Sequence, residues 1–183
     1  MSEPDIAGAT PDQPTTAHSD SNYQALYNVG NELREDVDLA ESLDFLELPT
    51  NGEASFSGTI GFELVQEAST DLIGEVQIGI SFETGEIAGT AGNFVSSDDF
   101  LYIGELSISG EGLANQTEDT SSFIFQAELL GEIASDGTLV IDAILLGDFF
   151  ESATALAGIV IGGIEDGSQS YSIEEGAFLA VVE

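Results

Sequence analysis

From about Gly52 to the last residue, apolar and polar positions alternate in short runs punctuated by glycine. Ala54, Phe56, Gly58, Ile60, Phe62 and Leu64 share one parity, and Ser55, Ser57, Thr59, Gly61 and Glu63 hold the other. Residues two apart in a strand point to the same side, so this run predicts a strand with one dry and one wet face. Similar runs lie near 53–65, 72–83, 86–94, 100–110, 122–133, 138–149, 155–164 and 171–182. The second places Val76, Ile78, Ile80 and Phe82 inward, and the fifth places Phe123, Phe125, Ala127 and Leu129 inward. Leu106, Ile108 and Phe178 complete the expected core.

Glu83-Thr84-Gly85, Ser135-Asp136-Gly137 and Glu165-Asp166-Gly167-Ser168 have the composition of hairpin turns. No helix-length segment separates the runs, which disfavours parallel crossovers. The fold class expected is all-β: an eight-stranded antiparallel up-and-down barrel over 52–183. At that strand number side chains fill the interior, and closure leaves no edge strand to aggregate. Gly58, Gly89, Gly131, Gly147 and Gly158 fall within strands, where bends and a tight interior favour glycine.

The chain before the barrel reads differently. Residues 1–21 carry Pro4, Pro11 and Pro14 without apolar periodicity, the composition of a disordered tail. Residues 22–51 form a strap: Tyr23, Leu26 and Tyr27 have helical spacing, as do Leu39, Leu43 and Leu46, and Gly30 interrupts the first group. One or two short helices, or an irregular segment, are expected there. Pro49-Thr50-Asn51-Gly52 is a turn at the boundary.

Charge narrows the partners. The 183 residues hold 35 Asp and Glu against one Lys or Arg, Arg34, for a net charge of −34 at pH 7. Nucleic-acid binding needs Lys or Arg to displace counterions from phosphates, and anionic membranes need the same cations. Both are excluded as direct partners. Cations, basic proteins and neutral ligands survive. Mutual repulsion also keeps copies soluble and apart, so a monomer is expected. There is no cysteine, hence no disulfide and no thiol chemistry. No apolar run reaches the roughly 20 residues of a membrane helix, and the first residues lack the basic and apolar regions of a signal peptide.

Catalytic and cofactor chemistry is sparse. His18 is the only histidine and stands in the expected tail, so a conventional zinc site is not anticipated. No base stands near a nucleophile as a catalytic triad requires, and the many carboxylates supply pairs indiscriminately. The chain is read as a non-enzyme with no catalytic residue and no cofactor. Asp36 and Asp38, and Asp98 and Asp99 within Ser96-Ser97-Asp98-Asp99, are the best acidic clusters. Neither matches a calcium loop, and a solvated loop is the expected state of both. Haem would depend on tyrosines such as Tyr102 or Tyr171, and tight axial ligation is not expected. Asn115-Gln116-Thr117 fits a glycosylation sequon, a triplet common by chance.

Four stretches taken in order resemble the β-barrel domain of the transferrin-binding-protein-like family of bacterial surface proteins. Residues Leu48 to Gly58 resemble its entry strand, and Phe82 to Gly89 its second hairpin. Gly147-Asp148-Phe149-Phe150 followed by Ala155-Leu156-Ala157-Gly158 resembles a late aromatic segment, and Gly176-Ala177-Phe178-Leu179-Ala180 the closing strand. The resemblance covers about 48–183. Glu151-Ser152 stand where that family has Gly-Pro, and the lipid-anchor cysteine is missing. The resemblance implies an eight-stranded barrel outside the cell or at its surface, associated with the outer membrane, that binds a partner and performs no catalysis. It carries no binding residue to a position in this chain. The leading expectation is therefore a binding barrel engaging a protein with a basic surface. The alternative is an acidic extracellular structural or solubility module without a small ligand.

Overall fold

The computed structural model describes residues 23–38, 41–64, 70–113 and 123–183. Helix α1 spans Tyr23–Asp38 and a 3-10 turn spans Phe45–Glu47. Eight strands follow: β1 Glu53–Leu64, β2 Thr70–Ser81, β3 Glu86–Ser96, β4 Leu101–Glu111, β5 Phe125–Ala134, β6 Thr138–Phe150, β7 Ala155–Asp166 and β8 Gln169–Val182. Each pairs antiparallel with the next, and β8 pairs with β1, closing an up-and-down barrel. This is the architecture the alternation predicts.

The interior is one continuous cluster. Phe56, Phe94, Phe125 and Phe149 are fully buried among Ile60, Val76, Ile78, Leu106, Ile108, Leu129 and Phe178. Edge or tilted ring contacts tie the cluster across strands: Phe56 to Phe149 at 6.1 Å, Phe62 to Phe94 at 5.6 Å and Phe125 to Phe178 at 5.7 Å. Such offset geometries suit the ring quadrupole. Some inward positions are glycine because neighbouring backbone comes close. A Cβ on Gly58 would lie 1.9 Å from the Leu179 carbonyl oxygen, and one on Gly158 2.0 Å from that of Leu146.

Strict alternation fails where bulges intervene. In β3, Ile87 and Ala91 face inward, yet so does Phe94, because Asn93 adopts φ 53° at a register shift against β4. A bulge inserts one residue and so switches parity. The fifth strand also starts later than the alternation suggests. Phe123 is half-buried ahead of β5, and the fully buried position goes to Ile124. The carboxylate of Asp148 on β6 accepts the Ile124 N–H at 3.1 Å, so a side chain replaces a ladder bond at that entry. Phe82 lies just past β2, half-buried, and still packs its ring on Phe149 at 5.9 Å.

Gly30 does not divide the helix; α1 is continuous through it. At about 1.5 Å per residue, its 16 residues run about 24 Å along the outside of the barrel. The strap then reaches the end of the barrel where β6 finishes. Leu43 N–H donates to the Phe149 carbonyl at 2.8 Å, Ser42 bridges to Phe150, and Leu43, Phe45 and Leu48 pack on the core there. The β6–β7 turn beside it holds Glu151, Ser152 and Ala153 at φ 51°, 61° and 65°. Three successive left-handed residues with side chains are costly. Thr154 helps to hold the turn, with its N–H on the Phe150 carbonyl at 3.1 Å and its hydroxyl on the Glu151 carbonyl at 2.8 Å.

Candidate functional site

The interior is filled, and besides Phe100, Leu101 and Ile103 around the β3–β4 turn, which are 56% to 74% exposed, the outer wall carries two further apolar areas. The first lies under α1. Leu26 of the helix packs with Ile73 of β2 and Val95 of β3, both outward-facing residues, and Tyr23 joins them. Gly30 is the point of closest approach: a Cβ there would lie 2.9 Å from the Thr59 hydroxyl, which is itself only 6% exposed. A helical glycine is unfavourable by about 1 kcal/mol relative to alanine, and here it lets the helix sit close to the wall.

The acidic turn after β3 holds the start of this helix. Asp99 Oδ1 accepts the Tyr23 N–H at 3.2 Å. The first N–H groups of a helix lack intrahelical partners and carry partial positive charge, so a carboxylate is favourable there. The turn is bonded internally: Asp99 N–H donates to the Ser96 carbonyl, and Phe100 N–H to the Ser96 hydroxyl. Asp98 and Asp99 are both exposed, and Asp99 also engages α1. Asp36 and Asp38 belong to the far end of α1, and their side chains lie outside the described ones. With Asp99 at Tyr23, the two acidic clusters stand at opposite ends of the helix, about 20 Å apart.

Beside the helix, between α1 and the outer wall of β1, β8 and β7, runs a groove of about 480 Å³. Tyr23, Tyr27, Asn31 and Arg34 form its helical side; Gly61, Ala157, Gly176 and Ala177 contribute to its floor. The Tyr23 and Tyr27 rings are stacked, 6.0 Å apart with 16° between planes. The Tyr23 hydroxyl points to Asp71 Oδ2 at 3.5 Å. Burial, and then the Asp71 charge, push the Tyr23 pKa above its ordinary value. Helical spacing of Tyr23 and Tyr27 is legible in the sequence; that Gly30 and Arg34 continue the same face is not, because Gly30 reads there as an interruption of the helix.

The second apolar area is bare. Ile144 of β6 pairs directly with Ile161 of β7, and Leu146 with Ile159. Leu130 of β5 pairs with Asp142, which places it diagonal to Ile144. Leu130, Val140, Ile144, Ile159 and Ile161 are between 36% and 42% exposed. Carboxylates interleave with them: Glu128 pairs with Ile144, and Glu132 and Glu165 flank Val140. Strict alternation would have put polar residues at these outward positions. The clue was in the sequence: Ala143 to Leu146 and Leu156 to Ile161 are apolar at nearly every position, unlike the half-wet strands before them.

Tyr102 is half-buried against the core, its pKa raised by burial and then by the charges of Asp136 and Asp166. Tyr171 borders an outer depression beside Ile161, its hydroxyl on Gln169 Oε1 at 2.7 Å. Among the described residues, no three His, Asp or Glu side chains converge as a metal site, and no helix is long and apolar enough to cross a membrane. His18 and Asn115-Gln116-Thr117 lie outside the described residues. Comparison of the chain with family models, curated proteins and solved structures finds no match to any of them.

Proposed function

We propose that this chain is a non-enzymatic binding barrel whose bare β5–β7 wall receives an amphipathic segment of a basic protein. One observation carries the reading: α1 covers the outward apolar residues of β2 and β3, and among the described residues no element covers those of β5 to β7. Ile73 and Val95 are buried by α1, whereas Ile144, Ile159 and Ile161 are 36% to 42% exposed with no such cover among the described residues. Burying apolar area contributes about 25 cal/mol per Å². The carboxylates interleaved with the bare positions, in a chain of net charge −34, select lysine and arginine on the partner. A second copy of this chain would bring the same charge and is disfavoured.

Display at the cell surface and membership of the transferrin-binding-protein-like family form part of this proposal. They rest on the order of the resembling stretches, with which a closed eight-stranded barrel agrees. The filled interior favours a second reading, an acidic structural module with no ligand inside the barrel.

Binding of a lysine-rich amphipathic helical peptide, measured by fluorescence anisotropy, separates the two readings. The binding reading expects saturable association with the intact protein, weakened about ten-fold or more by Ile161→Asp, with an on-rate that falls steeply as salt rises. A peptide of equal charge with its apolar residues replaced by serine should bind far less tightly. Equal binding of both peptides, or insensitivity to Ile161→Asp, would leave only the structural reading.

A further inference from the structure

The groove beside α1 has a chemistry of its own, distinct from the bare β5–β7 wall. Its volume of about 480 Å³ falls within the usual range for small-molecule sites, roughly 300–1,000 Å³. The stretch of floor at Gly61, Gly176 and Ala177 has side chains no larger than a methyl, bordered by the larger Ile73 and Leu179. Tyr27, 45% exposed, lines the groove and is stacked with Tyr23. A flat ring system between floor and tyrosines would gain aromatic contact on one side and close backbone contact on the other.

Charge decides the sign of the ligand. Asp71 and Glu63 line the same end of the groove as Tyr23, and they pair across β1 and β2. Arg34 lines the groove 11 positions further along the helix, about 16 Å from Tyr23. The tyrosine end is therefore an electron-rich surface beside two carboxylates. A cation placed over tyrosine faces gains a cation–π contribution. The field of a chain at −34 concentrates cations around it and repels anions.

We propose that this groove is a binding site for a flat aromatic cation, held by Tyr23 and Tyr27 over the glycine-alanine floor beside Asp71. The site adjoins the bare wall where Ala177 pairs with Ile159, but Ile144 and Ile161 do not line it.

The test uses proflavine, a flat cationic acridine, titrated into the full-length protein by fluorescence at about 1 M NaCl, where the Debye length is about 3 Å. At that salt diffuse attraction to surface carboxylates is screened, and a built site remains. The expected result is saturable one-to-one binding, weakened about ten-fold by Tyr27→Ala. Ala177→Trp, which fills the exposed floor position, should remove it, and Asp71→Asn should weaken it several-fold. Circular dichroism and melting of each variant establish that the barrel is intact. Anionic anilinonaphthalene sulfonate should not compete. Binding of many equivalents of proflavine that is indifferent to Tyr27→Ala and Ala177→Trp would overturn the site. Tighter binding of the anionic probe in the groove would overturn its charge preference. Neither result touches the Ile161→Asp peptide experiment, so the two proposals fail separately.

Discussion

Two outer faces of one barrel carry the same kind of apolar side chain and meet different fates. On β2 and β3, Ile73 and Val95 lie beneath Leu26 and Tyr23 of α1. On β6 and β7, Ile144, Ile159 and Ile161 remain partly exposed among carboxylates. The covered face shows how this wall accepts a helix: a glycine at the closest approach, a leucine over the isoleucine and valine, and an acid at the helix start. The bare face offers the isoleucines and the acids, but among the described residues no helix lies on it. What distinguishes the two is the cover rather than the wall, and several measurements can break or sharpen that distinction.

Ionic strength should have the largest effect, because it acts on every carboxylate at once. Raising NaCl from 10 mM to 1 M shortens the Debye length from about 30 Å to about 3 Å and screens the self-repulsion of 35 acids. The melting temperature is expected to rise by more than any substitution below changes it. A flat or falling melting temperature would remove self-repulsion from the account of both faces.

The shared interior sets the scale for substitutions. Phe125→Ala deletes a fully buried ring in contact with Phe178 and should destabilise the barrel by about 3–5 kcal/mol in urea unfolding. Next come the two faces themselves. Leu26→Ala removes the residue that covers Ile73 and Val95, and a loss of about 2–3 kcal/mol is expected. Ile161→Thr on the bare face should change stability by no more than about 0.5 kcal/mol in the isolated protein. Equal losses at the two positions would erase the comparison.

Asp99→Ala tests the anchor of the covering helix. Losing the acceptor of the Tyr23 N–H should cost about 1 kcal/mol, with faster amide exchange in the first turn of α1 while β1 to β8 stay protected. Uniform loss of protection over the whole barrel would show that α1 and the wall open as one unit.

The smallest effect concerns Asp148 and pH. Burial raises its pKa above the ordinary 3.8, opposed by the hydrogen bond from Ile124 N–H. A carboxyl whose folded pKa is raised holds its proton longer in the native state than in the unfolded chain. Its ionisation therefore lowers stability as pH climbs from the unfolded pKa through the folded one, and acidification through that window restores it. Asp148→Asn keeps an acceptor for Ile124 and removes the ionisation. The variant should equal or slightly exceed the parent in stability at neutral pH, and the difference between them should shift across that window. No shift with pH would mean that Asp148 is as well solvated in the native state as in the unfolded chain.

The strand count, the antiparallel order, most of the inward set from Phe56 to Phe178, Phe82 and Phe123 apart, and the acidic exterior were determined by the sequence itself. Period-two alternation and hairpin turns are local properties, and they survive without knowledge of the neighbours. The bulge at Asn93, the buried Ile124 in place of Phe123 and the course of the strap were decided by tertiary structure. Each depends on a partner far along the chain: the register of β4, the carboxylate of Asp148, the carbonyl of Phe149. The outer wall belongs in the same class. Whether an outward isoleucine is covered or bare turns on where a distant helix comes to rest. That position is set by the Gly30–Thr59 approach and by Asp99 at Tyr23, contacts that no local pattern encodes.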